Sequence, residues 1–250
     1  MFKRLIFAAV LFLCGCQHLQ IPENFEYKEI KTDDFTIASW QKVSDAQEPV
    51  KIYIEGDGTA FNAHGQPSYN PTPKGVLLRE IAFNDYQENV AYLARPCQFV
   101  KDNQCVQKYW TTARFASEVI RAEASAIRQI AQGREVILIG FSGGAQVAGL
   151  VTVLNPDIRV KKLVTIGGNL DHKAWTAYHN LPPLSDSLNL VDYKEKYLQG
   201  AQIHYVGTKD KVIPPALVKA FAKPDNIKEI ANAQHDKDWE SIYPLIWAEK

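Results

Sequence analysis

The chain carries no surplus charge: Lys and Arg together number 28, and so do Asp and Glu. Basic runs are absent as well, so nothing steers it toward nucleic acid and no nucleic-acid partner is expected. No internal repeat or low-complexity tract breaks the 250 residues. Cysteine is scarce, with four in all, and two of those fall in the first sixteen residues. The opening apolar run, Leu5 to Leu13, is too short to cross a bilayer as a helix.

What the first residues do carry is an address. Lys3 and Arg4 precede the apolar run, which ends at Leu13-Cys14-Gly15-Cys16. That ending resembles a bacterial lipobox, with Leu at −3, a small residue at −1 and Cys16 as the acylated residue. Cys14 is a less usual choice at −2, and an ordinary secretory peptide is the competing reading. On the lipobox reading residues 1–15 are a signal peptide, 16–24 a tether, and 25–250 a single domain of about the usual α/β size. Lipidated Cys16 would then anchor the protein to a membrane. Gln17 after it, rather than Asp, resembles the outer-membrane sorting pattern, which puts the protein in the cell envelope facing the periplasm.

An exported chain meets an oxidising compartment, so Cys97 and Cys105 are expected to pair. Closing so short a loop contributes roughly 2–3 kcal/mol on the chain-entropy account. A metal site is the alternative, but no histidine lies near enough in sequence to complete one. No metal and no organic cofactor is expected.

Hydrophobic patterning places strands at Phe35–Trp40, Val50–Ile54, Val90–Leu93, Val136–Ile139, Val160–Ile166, Gln202–Val206 and, weakly, Asn226–Ile230. Helical spacing falls at Gly75–Phe83, Phe115–Ala131, Ala145–Leu154, Ala216–Phe221 and Lys237–Glu249. Alternating strands and helices imply a mostly parallel sheet covered on both faces, with ligands at the carboxyl ends of its strands. The stretch from Asp171 to Gly200 breaks the alternation and holds Trp175, Tyr178, His179, Tyr193 and Tyr197. It reads either as a small cap-like insertion or as an ordinary connecting excursion.

The chemistry centres on Gly140-Phe141-Ser142-Gly143-Gly144, directly after Val136–Ile139. A buried strand running into G-x-S-x-G and then into small residues is the setting of a nucleophile elbow. Only glycine lets strand and helix backbones approach that closely. A serine hydroxyl needs a base to take its proton and a carboxylate to orient that base. In the nucleophile-elbow arrangement the acid and then the histidine follow the serine in the chain. His18 and His64 precede Ser142, His204 lies within a strand, and His172 and His179 come before the best acid. His235 remains, in a loop between the last strand and the closing helix. Asp210 is the expected acid, in a short loop between a strand-ending glycine and Pro214. Asp171 is the alternative acid, one strand earlier.

An oxyanion hole needs two backbone donors. Gly143, next to the nucleophile, offers one; the loop after Val50–Ile54 resembles the His-Gly loop of esterases, with Glu55-Gly56 in its place, and that resemblance implies Asp57 as the other. A carboxylate aimed at a developing oxyanion opposes catalysis. The Asp57 side chain is therefore expected to turn aside and hydrogen-bond the backbone of its own glycine loop.

Over nearly all of residues 25–250 the chain resembles the α/β-hydrolase superfamily. It is also similar to a narrower group of proteobacterial α/β-hydrolase lipoproteins. The residues that carry the likeness are Tyr53-Ile54-Glu55-Gly56-Asp57-Gly58, Pro71-Thr72-Pro73, Ala94-Arg95-Pro96-Cys97-Gln98, Tyr109-Trp110-Thr111, the Gly-Phe-Ser-Gly-Gly elbow, Gly168-Asn169-Leu170-Asp171 with Trp175, and Pro183 to Asn189. The resemblance implies the α/β-hydrolase fold, the triad and hydrolytic chemistry, and it supplies no substrate. The leading expectation is a serine hydrolase acting on a small acyl compound, a carboxylic ester before thioesters, amides or short peptides. A ligand-binding envelope lipoprotein without turnover and an acyltransferase are the competing readings.

Overall fold

The computed structural model describes residues 20–45 and 47–249. The expected leader, with Cys14 and the lipidation expected at Cys16, lies outside the described residues.

Eight strands form one sheet in the order β1-β2-β4-β3-β5-β6-β7-β8. They are β1 (Glu26–Lys31), β2 (Thr36–Val43), β3 (Val50–Ile54), β4 (Asn89–Leu93), β5 (Val136–Phe141), β6 (Val160–Ile166), β7 (Gln202–Gly207) and β8 (Ile227–Ile230). From β4 to β8 every neighbouring pair is parallel, and β2 alone runs against the rest. This is the α/β-hydrolase fold.

The strands sort their side chains by alternation, as the pleat requires. Ile52 and Ile54 of β3, Leu93 of β4 and Leu138 of β5 enter one core. That core is covered by α2 (Ser117–Ala131), α3 (Gly143–Leu154), α5 (Lys194–Tyr197) and α6 (Pro215–Phe221). Tyr53, Tyr92, Ile137 and Ile139 enter the core on the opposite face, beneath α1 (Leu77–Phe83) and α7 (Tyr243–Trp247). The central strands are buried on both faces, which is why β4 and β5 carry the apolar runs Val90–Leu93 and Val136–Ile139, while β3 is interrupted only by the buried Lys51.

Three elements differ from the sequence reading. Strand β1 has only Ile30 buried and is otherwise charged or exposed, an edge strand without an apolar signature. The closing helix expected over Lys237–Glu249 shrinks to a 3-10 turn at Glu240–Ile242 and the single turn of α7, because Pro244 starts a helix rather than sitting inside one. The 171–200 stretch is partly ordered: α4 (His172–Tyr178) begins it, and a 3-10 turn at Leu190–Tyr193 and α5 end it. Its two halves behave differently. Trp175 of α4 lines the cleft at the carboxyl end of the sheet, whereas Leu190 and Tyr197 pack beneath Gly149 of α3 as an ordinary connection.

Candidate active site

Ser142 links β5 to α3 with φ 50° and ψ −119°. A non-glycine residue in the left-handed half of the map costs on the order of 1–3 kcal/mol and persists only where its surroundings enforce it. The flanking glycines supply that enforcement through space. A Cβ on Gly140 would sit 2.6 Å from the Ala145 backbone, and one on Gly144 would sit 2.2 Å from the Ile54 carbonyl oxygen. The elbow is also tied down by backbone bonds. Ser142 N–H donates to Ile166 O at 3.1 Å, and Ser142 O accepts from Asn169 N–H at 2.9 Å.

His235 approaches from the loop after β8. Its Nε2 lies 3.0 Å from Ser142 Oγ and its Nδ1 2.9 Å from Asp210 Oδ2. The ionised carboxylate only accepts, so Nδ1 carries the ring proton and Nε2 is free to accept from the serine hydroxyl. The fully buried Trp239 fixes the loop by donating its indole N–H to His235 O at 3.2 Å. The Phe141 ring flanks the imidazole at 5.0 Å between centroids. Asp210 is held from behind: its Oδ1 accepts the N–H groups of Val212 and Ile213, each at 2.8 Å.

The other candidates lie elsewhere. Asp171 caps α4, accepting from Lys173 and Ala174 N–H and from the Asn189 amide, so its carboxylate is committed away from His235. His204 bonds Thr165 inside β7, His179 bonds Val212 O, and His172 is buried against Phe115.

Asp57 corrects one expectation. Its carboxylate turns aside, but it pairs with arginines rather than with its own loop. Arg114 Nη1 donates to Oδ2 at 2.6 Å and Arg95 Nη1 to Oδ1 at 3.4 Å. Burial pushes the Asp57 carboxyl up, and Arg114 and then Arg95 overcome this to hold it below the usual range. The loop-binding role falls to Glu55 instead, which accepts Gly56 N–H at 2.8 Å and the Tyr92 hydroxyl at 2.6 Å. Gln98 closes the loop from the other side, donating to Gly56 O at 3.0 Å. Its neighbour Cys97 forms a disulfide with Cys105, with Cα atoms 5.5 Å apart, so the bridge pins the segment that holds the Glu55–Gly58 loop. A Cβ on Gly143 would stand 2.1 Å from Asp57 Oδ1, so the two loops that offer Gly143 N–H and Asp57 N–H are in direct contact.

Arg95, Arg114 and Glu123 were not legible as site residues. Arg95 and Arg114 fall in or beside the segments of family likeness, but no sequence pattern says that both converge on Asp57. Arg95 also lies 3.6 Å from the buried Glu123 and donates to Arg114 O. Ser142, His235, Asp57 and Arg114 share a cleft of about 430 Å³ with apolar walls at Phe61, Leu77, Trp175 and Ile213. Among the described residues no cluster of His, Cys, Asp and Glu is arranged to hold a metal ion.

No protein-family model matches the chain, and no curated protein matches it in sequence. Solved structures do resemble it in fold. Est1E from Butyrivibrio proteoclasticus is 13% identical with a TM-score of 0.58, covering 90% of this chain and 94% of its own. E-2-(acetamidomethylene)succinate hydrolase is 15% identical with a TM-score of 0.60, covering 89% and 97%. An esterase from Pyrococcus furiosus is 16% identical with a TM-score of 0.55, covering 89% and 87%.

Proposed function

We propose that the protein is a serine hydrolase that cleaves a small carboxylic ester through an acyl-enzyme. The observation that carries this reading is the unbroken chain Asp210–His235–Ser142, with hydrogen-bond distances of 2.9 and 3.0 Å at its two links. In this reading Ser142 Oγ attacks the acyl carbonyl carbon while His235 Nε2 takes its proton. The Asp210 carboxylate stabilises the imidazolium as it forms. The negative oxygen of the tetrahedral intermediate receives the N–H groups of Gly143 and Asp57. His235 then returns the proton to the leaving alcohol, and water activated by the same imidazole releases the acid and regenerates Ser142.

Cleft size and chemistry support a small substrate with an apolar portion. About 430 Å³ is at the lower end of ordinary ligand pockets, and Phe61, Leu77 and Trp175 supply apolar wall. Similarity in fold to proteins described as esterases and hydrolases agrees with the chemistry. The lipobox-like ending at Cys16 supports export and attachment to the outer membrane on its periplasmic side, and a mass measurement of the mature N-terminus tests it; an intact leader or a plain cut elsewhere would remove the anchor.

The test of the hydrolase reading is a panel of p-nitrophenyl esters of graded chain length, run on wild type and Ser142→Ala. Short to medium esters should be turned over, with kcat in Ser142→Ala lower by at least about a thousandfold. Equal rates in the two proteins would end the proposal.

A further inference from the structure

The cleft wall beside the proposed oxyanion hole holds a cationic side chain that the triad chemistry does not use. Arg114 is only 4% exposed, yet it lines the same cleft as Ser142 and His235. Its Nη1 is spent on Asp57 Oδ2 at 2.6 Å and its Nε on Thr111 O at 2.8 Å. Its Nη2 makes no hydrogen bond among the described residues and is not fully buried, and the residue borders the cleft. The Phe61 ring lies 5.6 Å from the guanidinium carbon and walls that side. The result is a guanidinium held rigid by two bonds at the cleft wall, with one nitrogen uncommitted.

Asp57 does not cancel this charge. It is shared between Arg114 and Arg95. The fourth member of the cluster, Glu123, is buried 3.6 Å from Arg95, and burial pushes its carboxyl up to about 8. Burial therefore favours the neutral form of Glu123, and Glu55, which also borders the cleft and feels Arg95, is spent on the Tyr92 hydroxyl and Gly56 N–H. Lys74, exposed on the cleft rim, adds a second positive group; the exposed Asp236 on the same rim is the one opposing acid that water screens. A fixed guanidinium fork suits a carboxylate oxygen better than any neutral group, because the hydrogen bond is charge-assisted and the donor is already in place.

We infer that Arg114 receives an anionic group of the substrate, so that the acyl compounds bound at Ser142 carry a carboxylate within a few bonds of the scissile carbonyl. This rests on the hydrolase reading for its chemistry, but the subsite is measurable by binding alone. The alternative, that Arg114 serves only to hold the Asp57 loop, predicts that its loss weakens charged and neutral ligands alike.

The test uses the Ser142→Ala protein, so that ligands persist during titration. Monoethyl malonate, succinate and glutarate are titrated beside their neutral isosteres ethyl 3-methylbutanoate, 4-methylpentanoate and 5-methylhexanoate. At one or more lengths the anionic ester should bind about tenfold more tightly or better. That ratio should collapse in Ser142→Ala/Arg114→Gln. Should that protein fail to fold, Ser142→Ala/Arg114→Lys retains the pairing with Asp57, lacks the Nη2 donor and should also lose most of the preference. Neutral isosteres binding as well at every length, or a preference that survives the Arg114 changes, would overturn the inference. Fluorophosphonate labelling of the wild type separates the two claims: labelling at Ser142 with no anion preference removes only the subsite, whereas anion preference with no labelling removes only the hydrolysis.

Discussion

Replacing Asp210 by asparagine keeps the shape of the side chain and reverses one hydrogen bond. Oδ1 of Asp210 accepts two backbone N–H groups, from Val212 and Ile213 at 2.8 Å each, and an amide oxygen does this equally well. Those two donors therefore fix the orientation of the asparagine, and its NH2 must occupy the position of Oδ2, 2.9 Å from His235 Nδ1. An NH2 there donates, so Nδ1 must accept and the ring proton moves to Nε2. Nε2 then donates to Ser142 Oγ and no longer serves as its base. A wrong-tautomer histidine in a triad of this type costs about 10⁴ in kcat, or about 5 kcal/mol of transition-state stabilisation. The assay is kcat on a neutral p-nitrophenyl ester beside a thermal melt, and Tm should shift little because no bond to the fold is lost. Asp171→Ala is the companion variant: it removes the cap of α4, costs about 1 kcal/mol of stability, and leaves kcat largely unchanged. A less than tenfold loss in Asp210→Asn, or a large loss of kcat in Asp171→Ala, would refute the assignment of the acid.

Three further outcomes follow from the same geometry. Gly143→Ala places a Cβ 2.1 Å from Asp57 Oδ1, so the carboxylate must leave its arginines or the two loops must part; kcat should fall by about 10²–10³, as for a lost oxyanion donor, and wild-type rates would show that the loops give way freely. Glu123 has a folded pKa of about 8, above its unfolded value, so the folded state holds a proton that the unfolded state releases, and stability falls as pH rises from about 4.5 to 8. Glu123→Gln should flatten Tm across that range, and parallel wild-type and variant curves would contradict the burial argument. The Cys97→Ser/Cys105→Ser pair should lose roughly 2–3 kcal/mol in a denaturant melt; an unchanged midpoint would show that the 97–105 loop is held by its other contacts.

Most of the sheet was legible because its central strands are buried on both faces and so read as short apolar runs: Val90–Leu93 and Val136–Ile139 fall within β4 and β5. Strand β1 was invisible because an exposed edge needs no apolar side chains. The triad candidates were legible because chain order and loop position eliminate every other histidine, and the structure brings Ser142, His235 and Asp210 within hydrogen-bond distance. The surroundings of Asp57 were not, since Arg95 and Arg114 are 38 and 57 residues away in the chain and only the fold gathers them. The same holds for Glu55, whose bond to Tyr92 crosses from the end of one strand to another.

The most direct measurement is the site of covalent capture by a fluorophosphonate, read by intact mass and by peptide mapping of the folded protein. The account predicts a single adduct on the peptide that contains Ser142, absent in Ser142→Ala and formed far more slowly in Asp210→Asn. An unlabelled wild type that melts cooperatively, or an adduct that persists in Ser142→Ala, would contradict it.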